Sequence, residues 1–250
     1  MKDLWTASFF GLLAGFIGTG AGGVAAYFIP DRNKRVVSFI LEYSGGLMMA
    51  VVCFDLLPGA FEYASLGMVI AGVLGGVMLM ILSEAIVNRG RRRAPENGGQ
   101  SGGIRGTGLL IALGVAIHNF PEGLAVGSGF EAEAKLGLAL ALAIMLHDVP
   151  EGISIAVPLR AGGTGRLSAF LLTIASGLPT GLGALIGAWV GRISAVFIAI
   201  CLSFAGGAML YVIFAEMIPE SKRTYGGRFG SIGSILGIIS GFVVSVQLSL

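Results

Sequence analysis

The sequence predicts an all-α membrane protein that crosses the bilayer eight times, with both termini outside and an inverted internal repeat. Three observations carry this: too little charge for a water-facing surface, eight apolar runs of bilayer length, and polar motifs repeated on helices of opposite direction. Of 250 residues, 55% are hydrophobic and 12% charged, and mean hydropathy is +0.88. Soluble domains carry about 25% charged residues, so disorder, a nucleic-acid module and a secreted disulfide scaffold drop out. The 42 glycines are scattered singly through apolar runs, the way membrane helices use them for close approach.

The elements follow in order, each reaching the roughly 20 residues that a bilayer requires. The first, 4–28, lacks a typical signal-peptide cleavage site and reads as a true span. The second and third, 37–60 and 66–87, lead to a stretch over 88–106 in which Arg89, Arg91, Arg92 and Arg93 precede Gly/Ser-rich sequence. That composition predicts a flexible cytoplasmic tether within a single transporter domain, 1–250. Spans four to eight are 107–129, 135–159, 167–190, 194–218 and 229–249, with short connections. Cys53 and Cys201 lie inside apolar runs and read as small buried hydrophobes.

Basic residues set the orientation. With the N-terminus outside, the inner loops hold Arg32, Lys34, Arg35, Arg89, Arg91, Arg92, Arg93, Arg105, Arg160, Arg166, Lys222, Arg223 and Arg228, 13 of the 16 Lys and Arg. Only Lys2, Lys135 and Arg192 stay outside. This asymmetry explains a pI of 8.7 without a polyanionic partner.

The informative residues are those a bilayer should expel. Span four holds His118, Asn119, Pro121, Glu122 and Gly123 (HNFPEG); span five holds His147, Asp148, Pro150, Glu151 and Gly152 (HDVPEG). His and Glu at i and i+4 share a helix face. Two such helices face to face offer two imidazoles and several carboxylate oxygens, a set suited to Zn²⁺, Fe²⁺ or Mn²⁺. Each proline removes a backbone donor, and such broken helices mark ion sites in transporters. A lone buried histidine is usually a bonded core residue; two copies at matching depth in consecutive spans point to metal.

A second repeat joins Gly45, Gly46, Met48, Asp55 and Pro58 to Gly206, Gly207, Met209, Glu216 and Pro219, every pair offset by 161 positions. Five crossings separate the copies, so they run oppositely, the arrangement of alternating-access transporters. Asp55, seven residues after Met48, is expected on the same face as an outer capture residue, and Glu216 as its inner counterpart. The glycines themselves read as packing residues.

These motifs, with the MLYVIFAEMIPES stretch, resemble the ZIP (Zrt/Irt-like) family of divalent metal transporters, and most of all its short bacterial GufA-like members. The resemblance implies a 3+2+3 helix arrangement, a homodimer in a bacterial cell membrane, and uptake of divalent metal into the cytoplasm. The metal is cargo rather than a catalytic cofactor: zinc first, with iron, manganese and cadmium as further candidates. The partners are thus metal ions and lipid, with no nucleic acid. Carried over by position, a first site would draw on His118, Glu122, His147 and Glu151, with Met48 and Asp55 on the approach. A second would use Asn119 and Asp148 with the shared Glu122 and Glu151. Thr180 stands where binuclear members carry a glutamate, which weakens the second site, and 88–106 contains no histidine of the metal-sensing kind.

Competing classes are an intramembrane metalloenzyme and a metal channel. An intramembrane zinc protease would carry HExxH, which is absent from the sequence; the ligands alone do not separate channel from carrier. Among the remaining polar residues, Ser176 and Thr180 are expected to bond backbone carbonyls, and Glu42 and Glu84 to pair with loop arginines. Glu62, Glu131 and Glu133 belong at the outer surface. Glu220 reads equally as an exit ligand or a surface charge.

Overall fold

The computed structural model describes residues 4–28, 34–93 and 100–249. Among them are eight helices long and apolar enough to cross a membrane, and no strand. They are α1 (Leu4–Ala25), α2 (Lys34–Tyr63), α3 (Leu66–Arg93), α4 (Gln100–Ala132), α5 (Ala134–Ala161), α6 (Arg166–Gly191), α7 (Ala195–Thr224) and α8 (Phe229–Ser249). Every span expected from hydropathy is present. Helical backbone also covers 88–93 and 100–106 of the expected tether, because arginine is a good helix former and a long helix propagates cheaply from its ends. Residues 94–99 lie outside the described residues.

The helices form two bundles. In one, α1 packs against α5 and α4 against α6; in the other, α2 packs against α8 and α3 against α7. The seam is made chiefly by α4 on α7 and α2 on α5. Exchanging α1 with α6, α2 with α7, α3 with α8 and α4 with α5 leaves this set of packings unchanged. The close approaches obey the same exchange. A Cβ on Gly22 would lie 2.1 Å from the Val149 carbonyl oxygen, and one on Gly183 would lie 2.3 Å from that of Phe120. Gly46 and Gly207 meet Ser234 and Val73 in the same way, at 2.1 and 2.0 Å. The expected inverted repeat is therefore built into the helix crossings: only glycine lets these backbones touch.

Irregular backbone is not where the sequence places it. Helices α4 and α5 run unbroken through Pro121 and Pro150. Instead α2 and α7 each contain one π turn, Val52–Leu56 and Val212–Met217, closed by Leu57 N–H to Val52 O and Ile218 N–H to Ile213 O. Pro58 and Pro219 follow directly. Lacking an N–H, each withholds a bond from the turn before it, which rewinds to a wider ring.

Between the helices, Leu47, Met48, Leu140, Ile144, Leu202 and Met209 form the buried apolar core. The outer faces carry large apolar side chains such as Trp5, Leu74, Trp189 and Ile239, as a bilayer requires.

Candidate metal centre

Six polar side chains occupy the seam between α4 and α5, and all are buried: His118, Asn119 and Glu122 from α4, and His147, Asp148 and Glu151 from α5. The helices are antiparallel neighbours, so the histidine of each motif lies level with the glutamate of the other. The pairs therefore cross. His147 Nε2 stands 3.0 Å from Glu122 Oε1 in a hydrogen bond, and His118 Nε2 stands 3.0 Å from Glu151 Oε2 without hydrogen-bond alignment. Asp148 Oδ1 approaches His147 Nε2 to 3.6 Å.

Ligand atoms from Glu122, His147, Asp148 and Glu151 all fall within 4.8 Å of one another, and His118 adjoins them through Glu151. Both Asp148 oxygens, both Glu151 oxygens, Glu122 Oε2 and the Nδ1 atoms of both histidines are buried without a hydrogen-bond partner. Such orphans are costly inside a membrane protein. Three carboxylates against two imidazoles leave negative charge in excess, and a divalent cation satisfies the charge and the lone pairs together. Oxygen and nitrogen donors of this kind suit first-row divalent metals.

Neighbouring helices fix the surroundings. Asn119 Nδ2 donates to the Ser176 carbonyl at 2.9 Å. That carbonyl is open because Thr180 N–H bonds Gly177 O instead, where α6 breaks ahead of Pro179. Asp148, the repeat counterpart of Asn119, lies against Gly18 of α1, where a Cβ would come within 2.4 Å of its own Cβ. Ser44 donates to the His147 carbonyl at 3.1 Å, pinning α2 against the centre, with Met48 fully buried one turn further on.

The acidic residues of the second repeat depart from their expected placement. The extra residue in each π turn breaks the two-turn register between Met48 and Asp55, so the two do not share one strict face. Asp55 instead accepts from Ser245 of α8 at 2.6 Å and borders a cavity of about 360 Å³. Glu216 is exposed. Sequence reasoning missed the repeat counterpart of Ser245. Glu84 of α3 accepts from the Tyr211 hydroxyl and lies 3.3 Å from Asn88 Nδ2; the side chains of Arg91, Arg92, Arg93 and Arg105, the loop arginines expected to pair with it, lie outside those described. The signal was available: Glu84 stands 161 positions before Ser245, the partner of Asp55.

Glu42 also departs from expectation. It pairs with Lys222 of α7 at 2.8 Å and accepts from Ser221 and Ser234 at 2.9 and 2.8 Å. Burial selects the nearest flexible cation, and Lys222 is one helix away. Ser176 does bond a carbonyl, that of Thr173 at 2.6 Å, whereas the buried Thr180 hydroxyl makes no hydrogen bond and faces Gly15. Glu220 is a surface residue paired with Arg223 at 3.5 Å.

Eight apolar helices around a buried histidine–carboxylate centre, arranged as an inverted repeat, define an integral-membrane transporter of divalent metal cations. The comparisons agree. The profile of the ZIP Zinc transporter family matches residues 88–249. The chain is 40% identical to Zinc transporter GufA of Myxococcus xanthus over 182 residues, covering 72% of this chain and 71% of the relative. It is 34% identical to Zinc transporter ZupT of Akkermansia muciniphila over 253 residues, covering 93% and 92%. It is also 34% identical to Zinc transporter ZupT of Chlorobium limicola, covering 95% and 96%. The chain belongs to the ZIP zinc transporter family.

Proposed function

We propose that this chain carries zinc into the cytoplasm by alternating access, as a single transporter domain and not as an enzyme. His118, Glu122, His147, Asp148 and Glu151 are the central ligands, and Asn119 and Met48 stand at the edge of the site. The observation that carries this reading is the crossed pairing of the two motifs, which leaves eight buried ligand atoms of these residues without hydrogen bonds. Thr180 supplies no carboxylate, so a second site holds metal more weakly than the first. Asp55 receives metal at the outer end and Glu216 releases it at the inner end. The basic-residue asymmetry supports N-out, C-out orientation, and the family resemblance supports a homodimer.

Proteoliposome uptake tests the reading. Zinc should enter saturably, with unlabelled iron, manganese and cadmium competing less well; equal competition by all four would remove the zinc preference. In a Cys53→Ala/Cys201→Ala background, Asp55→Cys should react with an impermeant thiol reagent only from outside, and Glu216→Cys only from the cytoplasmic face. Labelling of both from one side would overturn the direction assigned to the path.

A further inference from the structure

We infer that Tyr27, Arg160 and Arg166 form a seat for the phosphate of an anionic phospholipid at the cytoplasmic end of the bundle. Naming that end cytoplasmic rests on the orientation proposed above; the seat itself is read from the side chains.

The C-terminal ends of α1 and α5 meet the N-terminal end of α6 there. Tyr27, just beyond α1, donates its hydroxyl to the Arg166 carbonyl at 2.6 Å. Arg160 Cζ, in the last turn of α5, stands 4.4 Å from the centre of the Tyr27 ring, and Arg166 Cζ stands 5.9 Å from it. A ring face attracts a cation, but two guanidiniums gathered on the same ring repel each other. No carboxylate offsets them. Among the described residues neither arginine is in an ion pair, whereas Arg223 at this end pairs with Glu220. The connection 29–33 contributes one acid, Asp31, and one base, Arg32, and so no net charge.

The backbone adds to the positive field. Helix α6 starts at the N-cap Gly165 without a side-chain cap, and its first turn holds no acidic residue, so the positive end of its dipole is unopposed. Thr164, just before the cap, is buried with its hydroxyl unpartnered. A phosphate fits this set, because the guanidinium fork matches its oxygens. The flanks point to a lipid rather than a free ion. Phe28 is 81% exposed and Leu167 69%, next to Tyr27 and Arg166 in the chain, and both offer apolar surface to acyl chains. Tyrosine suits the headgroup level, and basic pockets between helices on the cytoplasmic side suit anionic headgroups. A lipid held here ties together α1, α5 and α6, the helices that pack around Asp148 and Asn119.

Native mass spectrometry of the delipidated full chain, titrated with phosphatidylglycerol or phosphatidylcholine, tests the seat by counting bound lipid. The unaltered protein should bind phosphatidylglycerol more tightly than phosphatidylcholine. An arginine near an anionic headgroup contributes roughly fivefold, so Arg160→Gln/Arg166→Gln should weaken phosphatidylglycerol binding about thirtyfold and remove the preference. Arg166→Gln alone should cost about fivefold; its side chain is exposed, so this variant keeps the Arg160 bond to the Ala26 carbonyl. Arg89→Gln/Arg228→Gln removes the same charge from exposed positions at the same end and should leave binding within about twofold. Equal binding of the two lipids by the unaltered protein, an undiminished preference in Arg160→Gln/Arg166→Gln, or an equal loss in Arg89→Gln/Arg228→Gln overturns the inference. Displacement of the lipid by inorganic phosphate at constant ionic strength would assign the seat to the free ion and overturn it as well. The expected lipid binding combined with no zinc uptake in any vesicle overturns the transport reading and leaves the seat standing.

Discussion

Replacing His147 by Ala together with Glu122 by Gln should reduce metal uptake to the level of empty vesicles while the eight-helix fold persists. The loss should be at least about a hundredfold, since even outer-shell partners of metal ligands are worth 10–100-fold. The choice of pair follows from the crossed geometry. His147 is hydrogen-bonded to Glu122 of the other helix, and both are buried. Removing the imidazole alone strands a carboxylate in the membrane interior, and breaking one side of a buried pair costs about 3–5 kcal/mol. The matched double variant does not strand the Glu122 charge, so its Tm should exceed that of His147→Ala alone. Uptake and Tm measured on the same preparations separate loss of ligation from loss of folding; retained uptake by a well-folded double variant would sink the proposed site.

A Gly152→Val substitution should be among the most damaging single changes outside the ligands. A Cβ at that position would lie 2.2 Å from the Thr19 carbonyl oxygen and 3.0 Å from the Gly22 Cα. Both neighbours are backbone, so no side chain can swing aside and α1 must separate from α5. Overpacking costs about 1–3 kcal/mol, occasionally more, and this site belongs at the upper end. The damage reaches function too, because Gly152 follows Glu151 and the displaced helix carries His147 and Asp148 with it. Gly114→Ala is the matched control: it lies on α4 one turn before His118 with nothing within 4 Å of its Cβ position, and should be tolerated. Monodisperse yield and Tm of the two variants check the contrast. A Gly152→Val protein as stable as Gly114→Ala would show that the α1–α5 crossing is not a tight constraint.

Much of this architecture was legible in the sequence because a bilayer penalises ambiguity. Span positions follow from hydropathy alone, and HNFPEG and HDVPEG stand out because ionisable residues seldom enter an apolar run without a purpose. The offset of 161 between Gly46 and Gly207 reappears as matching close approaches of α2 on α8 and α7 on α3. What escaped was the backbone's response to proline. Pro121 and Pro150 sit in helices packed on several sides and do not break them. Pro58 and Pro219 each leave an unfilled carbonyl that widens the preceding turn. Periodicity arguments assume a constant 3.6 residues per turn, so they placed Asp55 on the Met48 face, whereas the π turn delivers it to Ser245. The partner of Glu42 was misread for a different reason. Loop arginines are conspicuous in sequence, but the pair forms with Lys222, 2.8 Å away.

Zinc K-edge absorption of the purified protein loaded with one equivalent of zinc tests the central claim most directly. A metal held between α4 and α5 should show the imidazole scattering of His118 and His147, with nitrogen and oxygen ligands at about 2.0–2.2 Å. His118→Ala/His147→Ala should retain no zinc after desalting. A first shell without imidazole, or undiminished zinc retention by the double variant, would contradict the assignment of this centre.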